Sequence, residues 1–506
     1  MRYLPNGKQM SEADAHTIHE IGIPSLVLME RAALQIVETM HKKNISTEKS
    51  LIVCGSGNNG GDGFAVARLL TEQGKHADVL FAGREASFSE ECRCQKQIVE
   101  NMGISVFTEF PDEEYTVIID AVFGVGLCRE ITGHYKDVID WMNLQDAEKV
   151  AVDIPSGICA ATGEILGTAF RADLTVCMAC VKLGCELFPG KSYAGESILP
   201  VAIGIDPNYF SNRLDVCYTF DKNELGKLLP ARMMNSHKGS YGKVLMITGS
   251  PGMAGAAFLS ACAAYTVGAG LVQIYTASEN RLALQELLPE AIISCYDSYD
   301  DSQLSHLLDW ADVVCIGCGL GMGQISEKIL ENVLKNVSCP CVIDADGLNL
   351  LSRNIELLNQ CCAPVILTPH MKEMSRLTGW SIDTIMEDRF QALDQIIKQS
   401  GPDTKSSIIC VLKDSRTVVA QTNRQKFVNL AGNNSMAKGG SGDVLAGTIA
   451  GLLAQHMAPF EATTVGVFLH ACGGDEAKKS KGSYSVLARD LIQGMADAMK
   501  NAKECR

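Results

Sequence analysis

The chain has 506 residues, too many for one ordinary hydrophobic core, and 46% of them are hydrophobic against 20% charged, a composition typical of globular proteins. The formal net charge of −15 argues against nucleic acid or an anionic membrane as a partner, because both select basic surfaces. The 20 cysteines lack paired zinc spacings and the start MRYLPNGKQM lacks the apolar core of a signal peptide, so we expect free thiols and a cytoplasmic location.

The first half of the sequence alternates short apolar runs with amphipathic helical stretches. Residues 10–40 are predicted to form a helical entry segment. The strands predicted after it are 51–55, 77–82, 115–123, 149–155, 173–180 and 197–204, with helices such as 63–74 and 90–103 between them. Strands that are continuous apolar runs separated by helices predict a parallel sheet covered on both faces.

A second alternating series begins after a less regular stretch at residues 208–229. Its predicted strands are 243–249, 271–277, 312–317, 341–346, 364–369, 406–413 and 416–421. This restart predicts two α/β domains, at residues 1–213 and 225–506, joined by a linker at 214–224.

Three loops that follow predicted strands of the first half carry similar polar side chains. They are GSGNNGGDG (55–63), DAVFGVGLCRE (120–130) and DIPSG (153–157). Ligands of open α/β sheets bind beyond the carboxyl ends of the strands, so one cleft is expected. The side chains expected to line it are Asn58, Asn59, Asp62, Asp120, Asp153 and Ser156.

Each of these side chains also has a plainer interpretation as a turn or cap residue, and Asp62 would cap the helix that follows it. The match of GSGNNG to the dinucleotide pattern is weak, because the end of the second strand, VLFAGREAS, has no obvious acidic partner. Asn and Asp oxygens beside a serine could instead hold a hard monovalent cation together with a phosphate-bearing ligand.

The stretches GNNGGDGFAVARLL, DAVFGVGL and VDIPSG resemble the NAD(P)H-hydrate epimerase domain over about residues 1–207. The resemblance implies that the hydrated nucleotide contacts Asp153 and two loops. The loop positions are Asn58, Asn59, Gly60, Gly61, Asp62, Gly124, Val125, Gly126, Leu127, Cys128, Arg129 and Glu130. It also implies a potassium ion (K⁺) bound by Asn59, Asp120 and Ser156. Lys182, near the same cleft, is either a counter-ion or a solvated surface lysine.

The stretch GGSGD (439–443) precedes a long apolar helix in the second half. Its backbone N–H groups and the helix N-terminus favour an anion. A carboxylate beside such a site repels phosphate, so Asp443 is interpreted as a general base for a hydroxyl about to be phosphorylated. The alternative is a helix cap on a glycine hinge. His370 is either a buried structural histidine or a ligand, and His470 is expected in the core.

Five ordered motifs of the second half, ending in GNNSMAKGGSGD, resemble the ADP- or ATP-dependent NAD(P)H-hydrate dehydratase of the ribokinase-like superfamily from about residue 225 onward. The resemblance implies that Ala256, Gly319 or Gly321, His370 and Asp443 contact the hydrate. It implies nucleotide contacts at Lys413, Asp414, Ser415, Arg416, Thr417 and Gly442, with Mg²⁺ on the nucleotide phosphates. Cys318 stands where this family usually has proline.

We therefore expect an α/β chain with an N-terminal Rossmann-like three-layer αβα sandwich and a C-terminal ribokinase-like αβα domain. The expected enzyme epimerises the R and S hydrates NADHX and NADPHX and dehydrates the S form at the expense of ADP or ATP, with Asp153 and Asp443 as catalytic residues. A homo-oligomer is expected because apolar helices such as VLAGTIAGLLA permit assembly. The rival interpretations are a vitamin or sugar kinase with a non-catalytic N-terminal binding domain, and a first domain that is a protein-binding scaffold.

Overall fold

The computed structural model describes residues 1–398 and 407–504, which divide after Cys217 into two compact units. Residues 399–406 and 505–506 of the predicted second domain, including the start of the predicted strand 406–413, lie outside the described residues. Within the predicted linker 214–224, residues Cys217–Thr219 form a short buried strand.

The first unit contains a parallel sheet whose strands are connected by helices. The strands of this sheet are β2 (Lys49–Cys54), β3 (His76–Phe81), β4 (Val106–Phe107), β5 (Val117–Ala121), β6 (Glu148–Val152), β7 (Leu174–Met178) and β8 (Ser197–Val201). The short strand β1 (Arg2–Leu4) precedes them and is not part of this sheet. Its helices are α1 (Gly7–His16), α2 (Ser25–Lys42), α3 (Asn58–Glu72), α4 (Glu90–Asn101), α5 (His134–Leu144) and α6 (Leu183–Glu186). The sheet order is β4-β3-β2-β5-β6-β7-β8.

Both faces of this sheet are covered, as the continuous apolar runs predict. Successive residues of β2 face opposite sides: Ile52 packs in one core with Phe64 of α3, and Leu51 packs in another with Met142 of α5. The alternation follows from the two-residue period of a strand, and it confirms the three-layer α/β arrangement.

The predicted entry helix is interrupted. A π-helical turn at Thr17–Ile21 follows α1 and ends at Gly22, whose φ of 86° lies in the left-handed region. Pro24 then precedes α2. Glycine tolerates this backbone conformation and proline fixes the start of the next helix, so the stretch forms two helices instead of one.

The second unit has a larger mixed sheet. Its strands are β9 (Cys217–Thr219), β10 (Lys243–Ile247), β11 (Leu271–Ala277), β12 (Ile292–Tyr296), β13 (Val313–Ile316), β14 (Cys341–Ile343), β15 (Val365–Leu367), β16 (Ile408–Leu412), β17 (Val418–Gln421) and β18 (Phe427–Val428). They lie in the order β9-β18-β17-β16-β15-β14-β13-β10-β11-β12. From β16 to β12 all pairs are parallel, whereas β17 is antiparallel to both of its neighbours.

The helices of the second unit cover this sheet. They are α7 (Leu225–Leu228), α8 (Ala254–Val267), α9 (Arg281–Leu287), α10 (Asp301–Trp310), α11 (Gln324–Asn336), α12 (Asp346–Leu351), α13 (Met371–Thr378), α14 (Ile382–Glu387), α15 (Arg389–Ile397), α16 (Ser441–Ala454), α17 (Pro459–Lys481) and α18 (Ala488–Glu504). In the part of the chain that the structure describes, no helix combines the length and apolarity needed to cross a membrane.

Helix α16 is buried along its whole apolar stretch, from Val444 to Ala454. It packs closely on α8, because a Cβ atom at Gly447 would lie only 2.0 Å from the carbonyl oxygen of Ser260. The apolar surface of this helix is therefore buried against other elements of its own unit. It offers no face for assembly, so the expected homo-oligomer stays a prediction without support from α16.

Candidate active sites

A cavity of about 650 Å³ opens at the carboxyl ends of the strands in the first unit. The predicted residues that line it are Asn58, Asn59, Asp62, Gly124, Val125, Gly126, Leu127, Cys128, Arg129 and Asp153. Three predicted loops thus meet at one cleft, as parallel strand ends should. Cys128 lines this cavity with an exposed side chain.

The predicted glycine loop is the first turn of a helix, because α3 begins at Asn58. Asp62 therefore lies inside α3 and does not cap it. Gly60 and Gly61 permit close packing: their Cβ atoms would lie 2.0 Å from the carbonyl oxygen of Gly55 and 2.5 Å from Met29 Cε, respectively. The open N-terminus of α3 faces the cavity and favours an anionic group there.

Asp62 is a half-buried residue of this turn and lines the cavity. Burial, followed by the negative charges of Asp153 and Asp14, raises the pKa of Asp62 well above its usual range. Asn59 beside it has a buried Nδ2 atom with no hydrogen-bond partner among the described residues. Both groups are available to a ligand that enters the cavity.

Asp120 and Ser156 lie behind the cavity wall and are bonded to each other. Ser156 donates its backbone N–H to Asp120 Oδ2 at 2.7 Å and its hydroxyl to Oδ1 at 2.6 Å, and Phe123 N donates to Ser156 Oγ at 2.8 Å. Burial raises the pKa of Asp120 to about 6, and no ion pair among the described residues involves it. A buried carboxylate beside neutral oxygens fits a hard cation such as K⁺.

Asp153 and Lys182 form a buried ion pair at the end of β6. Lys182 is fully buried, and its Nζ contacts Asp153 Oδ1 and donates to the carbonyl oxygen of Met178 at 2.9 Å. Burial alone would lower the pKa of Lys182, but the charge of Asp153 outweighs it and the pKa is raised. Of the two interpretations of Lys182, the counter-ion is confirmed and the solvated lysine is wrong.

Asp153 also has an unusual backbone. Its φ of 68° lies in the left-handed region, where its N–H donates to the carbonyl oxygen of Val176 at 2.8 Å and its Oδ1 accepts from Met178 N at 2.9 Å. Non-glycine residues in this region are often held there by a functional requirement. Here the conformation turns the carboxylate towards Lys182 and the cavity.

Several cavity residues were missed in the sequence, among them three polar side chains that come from helices and not from strand ends. Asp14, Ser25 and Glu91 line the cavity from α1, α2 and α4. Ser25 donates its hydroxyl to Glu91 Oε1 at 2.5 Å. Burial, with the charges of Asp153 and Glu91, raises the pKa of Asp14. Helix positions carry no loop motif, so only tertiary packing identifies these side chains.

In the second unit Asp443 lies in the first turn of α16, after Gly440, whose φ is 91°. Ligand atoms of Asp443, Asp344 and Cys318 lie within 4.8 Å of one another. Burial, and next the charge of Asp344, raise the pKa of Asp443 to about 7. A carboxylate with this pKa can take up a proton near neutral pH, as a general base must.

Lys413 joins this cluster from the end of β16. Its Nζ donates to Asp344 Oδ1 at 2.6 Å, and its backbone N–H donates to the carbonyl oxygen of Pro369 at 2.8 Å. A Cβ atom at Gly442 would lie 3.3 Å from Lys413 Nζ and 3.4 Å from Asp344 Oδ2. The structure therefore brings two predicted nucleotide contacts, Lys413 and Gly442, next to Asp443.

Two of the predicted hydrate contacts of this unit, Ala256 and Gly319, also lie against each other. A Cβ atom at Gly319 would lie 2.9 Å from Ala256 Cβ, and Gly321 donates its N–H to Asp346 Oδ2 at 2.8 Å. Both glycines have positive φ, 59° at Gly319 and 81° at Gly321. Cys318, which precedes them, is buried with its sulfur 3.9 Å from Asp344 Oδ2.

The remaining predicted nucleotide residues, Asp414 to Thr417, form the turn between β16 and β17. Asp414 and Ser415 are exposed, and Thr417 donates its hydroxyl to the carbonyl oxygen of Asp414 at 3.0 Å. His470 is buried in α17, as expected of a core residue, and burial lowers its pKa to about 4.

The Cys318, Asp344 and Asp443 cluster does not fit magnesium as a resident ion. Magnesium prefers oxygen ligands in octahedral geometry, whereas Cys318 offers sulfur and Lys413 already occupies Asp344 Oδ1. Any magnesium is better accounted for as part of a nucleotide complex.

Comparisons with known proteins match both halves of the chain. A family model described as YjeF-related protein N-terminus matches residues 25–184, and one described as NAD(P)H-hydrate dehydratase matches residues 244–496. The bifunctional NAD(P)H-hydrate repair enzyme of Moorella thermoacetica is 34% identical over 99% of this chain and 97% of its own length. The chain belongs to the bifunctional NAD(P)H-hydrate repair enzymes.

Solved structures of other proteins resemble the second half of this chain. The ADP/ATP-dependent NAD(P)H-hydrate dehydratase of Bacillus subtilis, co-crystallised with ATP and Mg²⁺, has a TM-score of 0.50 and 28% identity over 56% of this chain and 99% of that chain. A ribokinase-like superfamily protein of Enterococcus faecalis has a TM-score of 0.50 and 30% identity over 56% of this chain and 96% of that chain. The predicted ribokinase-like fold is confirmed.

Proposed function

We propose that the two units, divided near Cys217, carry two successive activities: the first epimerises NAD(P)H hydrates and the second dehydrates the S form. The observation that carries the proposal is the presence of two unlike sites. One is a cavity with a buried lysine–aspartate pair, and the other is a basic carboxylate beside a helix N-terminus.

In the second unit we assign the base to Asp443. It takes the proton of the ring hydroxyl, and the oxygen forms a bond to the terminal phosphorus of ADP or ATP while the bond to the departing nucleotide breaks. The N-terminus of α16 and Lys413 compensate charge on the transferring group. Mg²⁺ bound to the nucleotide would supply further compensation. The ring nitrogen then expels phosphate, and loss of a proton from the neighbouring carbon restores the dihydropyridine.

In the first unit we propose that the nucleotide phosphates bind at the N-terminus of α3 and that the ring lies near Asp153. Asp153 is the proposed proton-transfer group, with Lys182 as its buried charge partner. Asn59, Asp120 and Ser156 are the proposed holders of K⁺, which would neutralise the buried carboxylate. The other loop residues, including Arg129 and Glu130, are proposed to enclose the ligand.

The experiment that tests both assignments supplies a mixture of R and S hydrates with ADP or ATP and follows NADH formation. The wild-type chain should convert the whole mixture. Asp153→Asn should stop after the S form is consumed, and Asp443→Asn should form no NADH. A stable phosphorylated product from the wild type would instead support the kinase alternative, and full conversion by Asp153→Asn would support a non-catalytic first unit. Comparing ADP with ATP in the same assay identifies the preferred donor.

A further inference from the structure

His370 is held in one orientation by the start of α13. The ring Nδ1 accepts hydrogen bonds from the backbone N–H groups of Lys372 at 3.0 Å and Glu373 at 3.2 Å. A ring nitrogen that accepts cannot carry a hydrogen, so a neutral His370 carries its hydrogen on Nε2. Burial, and next the charge of Lys413, lower the pKa of His370 and favour the neutral ring. The imidazole, which is half exposed, therefore carries an Nε2–H, and its Nε2 lies 3.4 Å from Glu373 Oε1.

Glu373 completes this arrangement from the same helix. Its carboxylate is buried, and Oε2 accepts a hydrogen bond from the backbone N–H of His370 at 2.8 Å, which closes a capping box. The same Oε2 lies 3.9 Å from Lys413 Nζ. One carboxylate thus faces both a predicted hydrate contact and a predicted nucleotide contact.

The positions of these two contacts are also joined through the backbone. His370 and Lys413 form an isolated parallel bridge beyond β15 and β16. The ammonium of Lys413 bonds to Asp344 on its other side, so it lies between two carboxylates. Removing the charge of Glu373 would leave Asp344 as the only carboxylate paired with Lys413 among the described residues.

We propose that Glu373 is a positioning residue of the dehydratase site, which fixes His370 as an Nε2–H donor to the hydrate and holds Lys413 for the nucleotide phosphates. The proposal rests on the dehydratase function of the second unit. It excludes His370 as the base of the reaction, because Nδ1, the ring nitrogen that could take up a proton, already accepts hydrogen bonds from two backbone N–H groups. It also couples the two binding steps through a residue that touches neither ligand.

Two substitutions separate the two roles of Glu373. Glu373→Gln keeps an oxygen that accepts from His370 N but loses the negative charge that faces Lys413. Glu373→Ala loses both. Glu387→Gln, on the exposed end of α14, is the matched control because it makes the same charge change away from the site.

The first measurement is the tautomer of His370, from the ¹⁵N resonances of protein labelled at histidine. The signals of His370 are assigned by their loss in His370→Gln. We expect the wild type and Glu373→Gln to show the neutral Nε2–H form. Glu373→Ala keeps the backbone donors to Nδ1 but removes the oxygen that faces Nε2, so it should show a mixture. A wild type with the hydrogen on Nδ1 overturns the proposal. This readout does not depend on turnover, so it is distinct from a failure of the proposed dehydratase function.

The second measurement is steady-state dehydration of the S hydrate by the full-length chain. Burial raises the pKa of Glu373 to about 7, so the assay is run at about pH 8, where its carboxylate is ionised. Loss of this charged partner should raise the nucleotide KM of Glu373→Gln by roughly tenfold while the hydrate KM changes little. Glu373→Ala should also lower kcat, and Glu387→Gln should match the wild type. Unchanged kinetics in both Glu373 variants, or an equal effect of Glu387→Gln, would overturn the proposal. Thermal melting checks that each variant is folded.

Discussion

At the scale of single residues, Asp443 gives the dehydratase activity a defined pH dependence. Its pKa is raised to about 7, and a base acts only when deprotonated, so kcat/KM should fall by roughly tenfold per pH unit below pH 7 and level off above it. Rates measured from pH 5.5 to 9 with saturating nucleotide test this. Glu373→Gln should keep the same acidic limb, because the limb belongs to Asp443. A flat profile would remove Asp443 as the base.

The ion pair of Lys182 and Asp153 makes a second prediction at this scale. Lys182→Met leaves a buried carboxylate without its partner, so the first unit should lose about 3–5 kcal/mol of unfolding free energy together with its epimerase activity. Hydrogen exchange of the peptides covering β6 and β7 measures the loss.

The double variant Lys182→Met/Asp153→Asn should recover most of that stability and none of the activity. Asparagine tolerates the left-handed backbone at position 153, so the second substitution adds little strain. Lys8→Met, at an exposed position of α1, is the control. Protection equal to the wild type in Lys182→Met would contradict a structural role for the pair.

At the scale of secondary-structure elements, the close packing of α16 on α8 can be tested with two glycines. Gly447→Ala gains helix propensity but forces a Cβ atom against Ser260, so the variant should lose about 1–3 kcal/mol of stability. Gly255→Ala, in α8, meets no atom within 4 Å and should be neutral or up to about 1 kcal/mol more stable. Thermal unfolding followed by residual dehydratase activity compares them, and a shift in the same direction for both would refute the packing argument.

The elements also show what the sequence could predict. Strands such as β2 and β11 were found because most of their residues are apolar. The site residues after β2, β5 and β6 followed from the geometry of a parallel sheet. The short strands β4 and β18 were missed because two residues carry no periodic pattern. Glu373 and Asp14 were missed because their roles depend on which helix turn faces the site, which local sequence does not specify.

At the scale of the whole molecule, the two activities should respond differently to potassium. The proposed cation oxygens of Asn59, Asp120 and Ser156 all belong to the first unit. Replacing K⁺ by tetramethylammonium at constant ionic strength should therefore slow conversion of the R hydrate and leave dehydration of the S hydrate unchanged. Asp120→Asn should blunt the response to K⁺. Equal losses of both activities would contradict a site confined to the first unit.

The exposed thiol of Cys128 on the wall of the first cavity allows ligand binding to be measured by the rate of its alkylation. A molecule that fills the cavity shields this sulfur from alkylating reagents, whereas the exposed Cys94 and Cys362 lie outside the cavity lining and keep their labelling rates. Mass spectrometry of the three peptides can then rank compounds by occupancy without any turnover. Covalent ligands could be attached to the same sulfur. Binding in the cavity could then be detected for compounds that the enzyme does not convert.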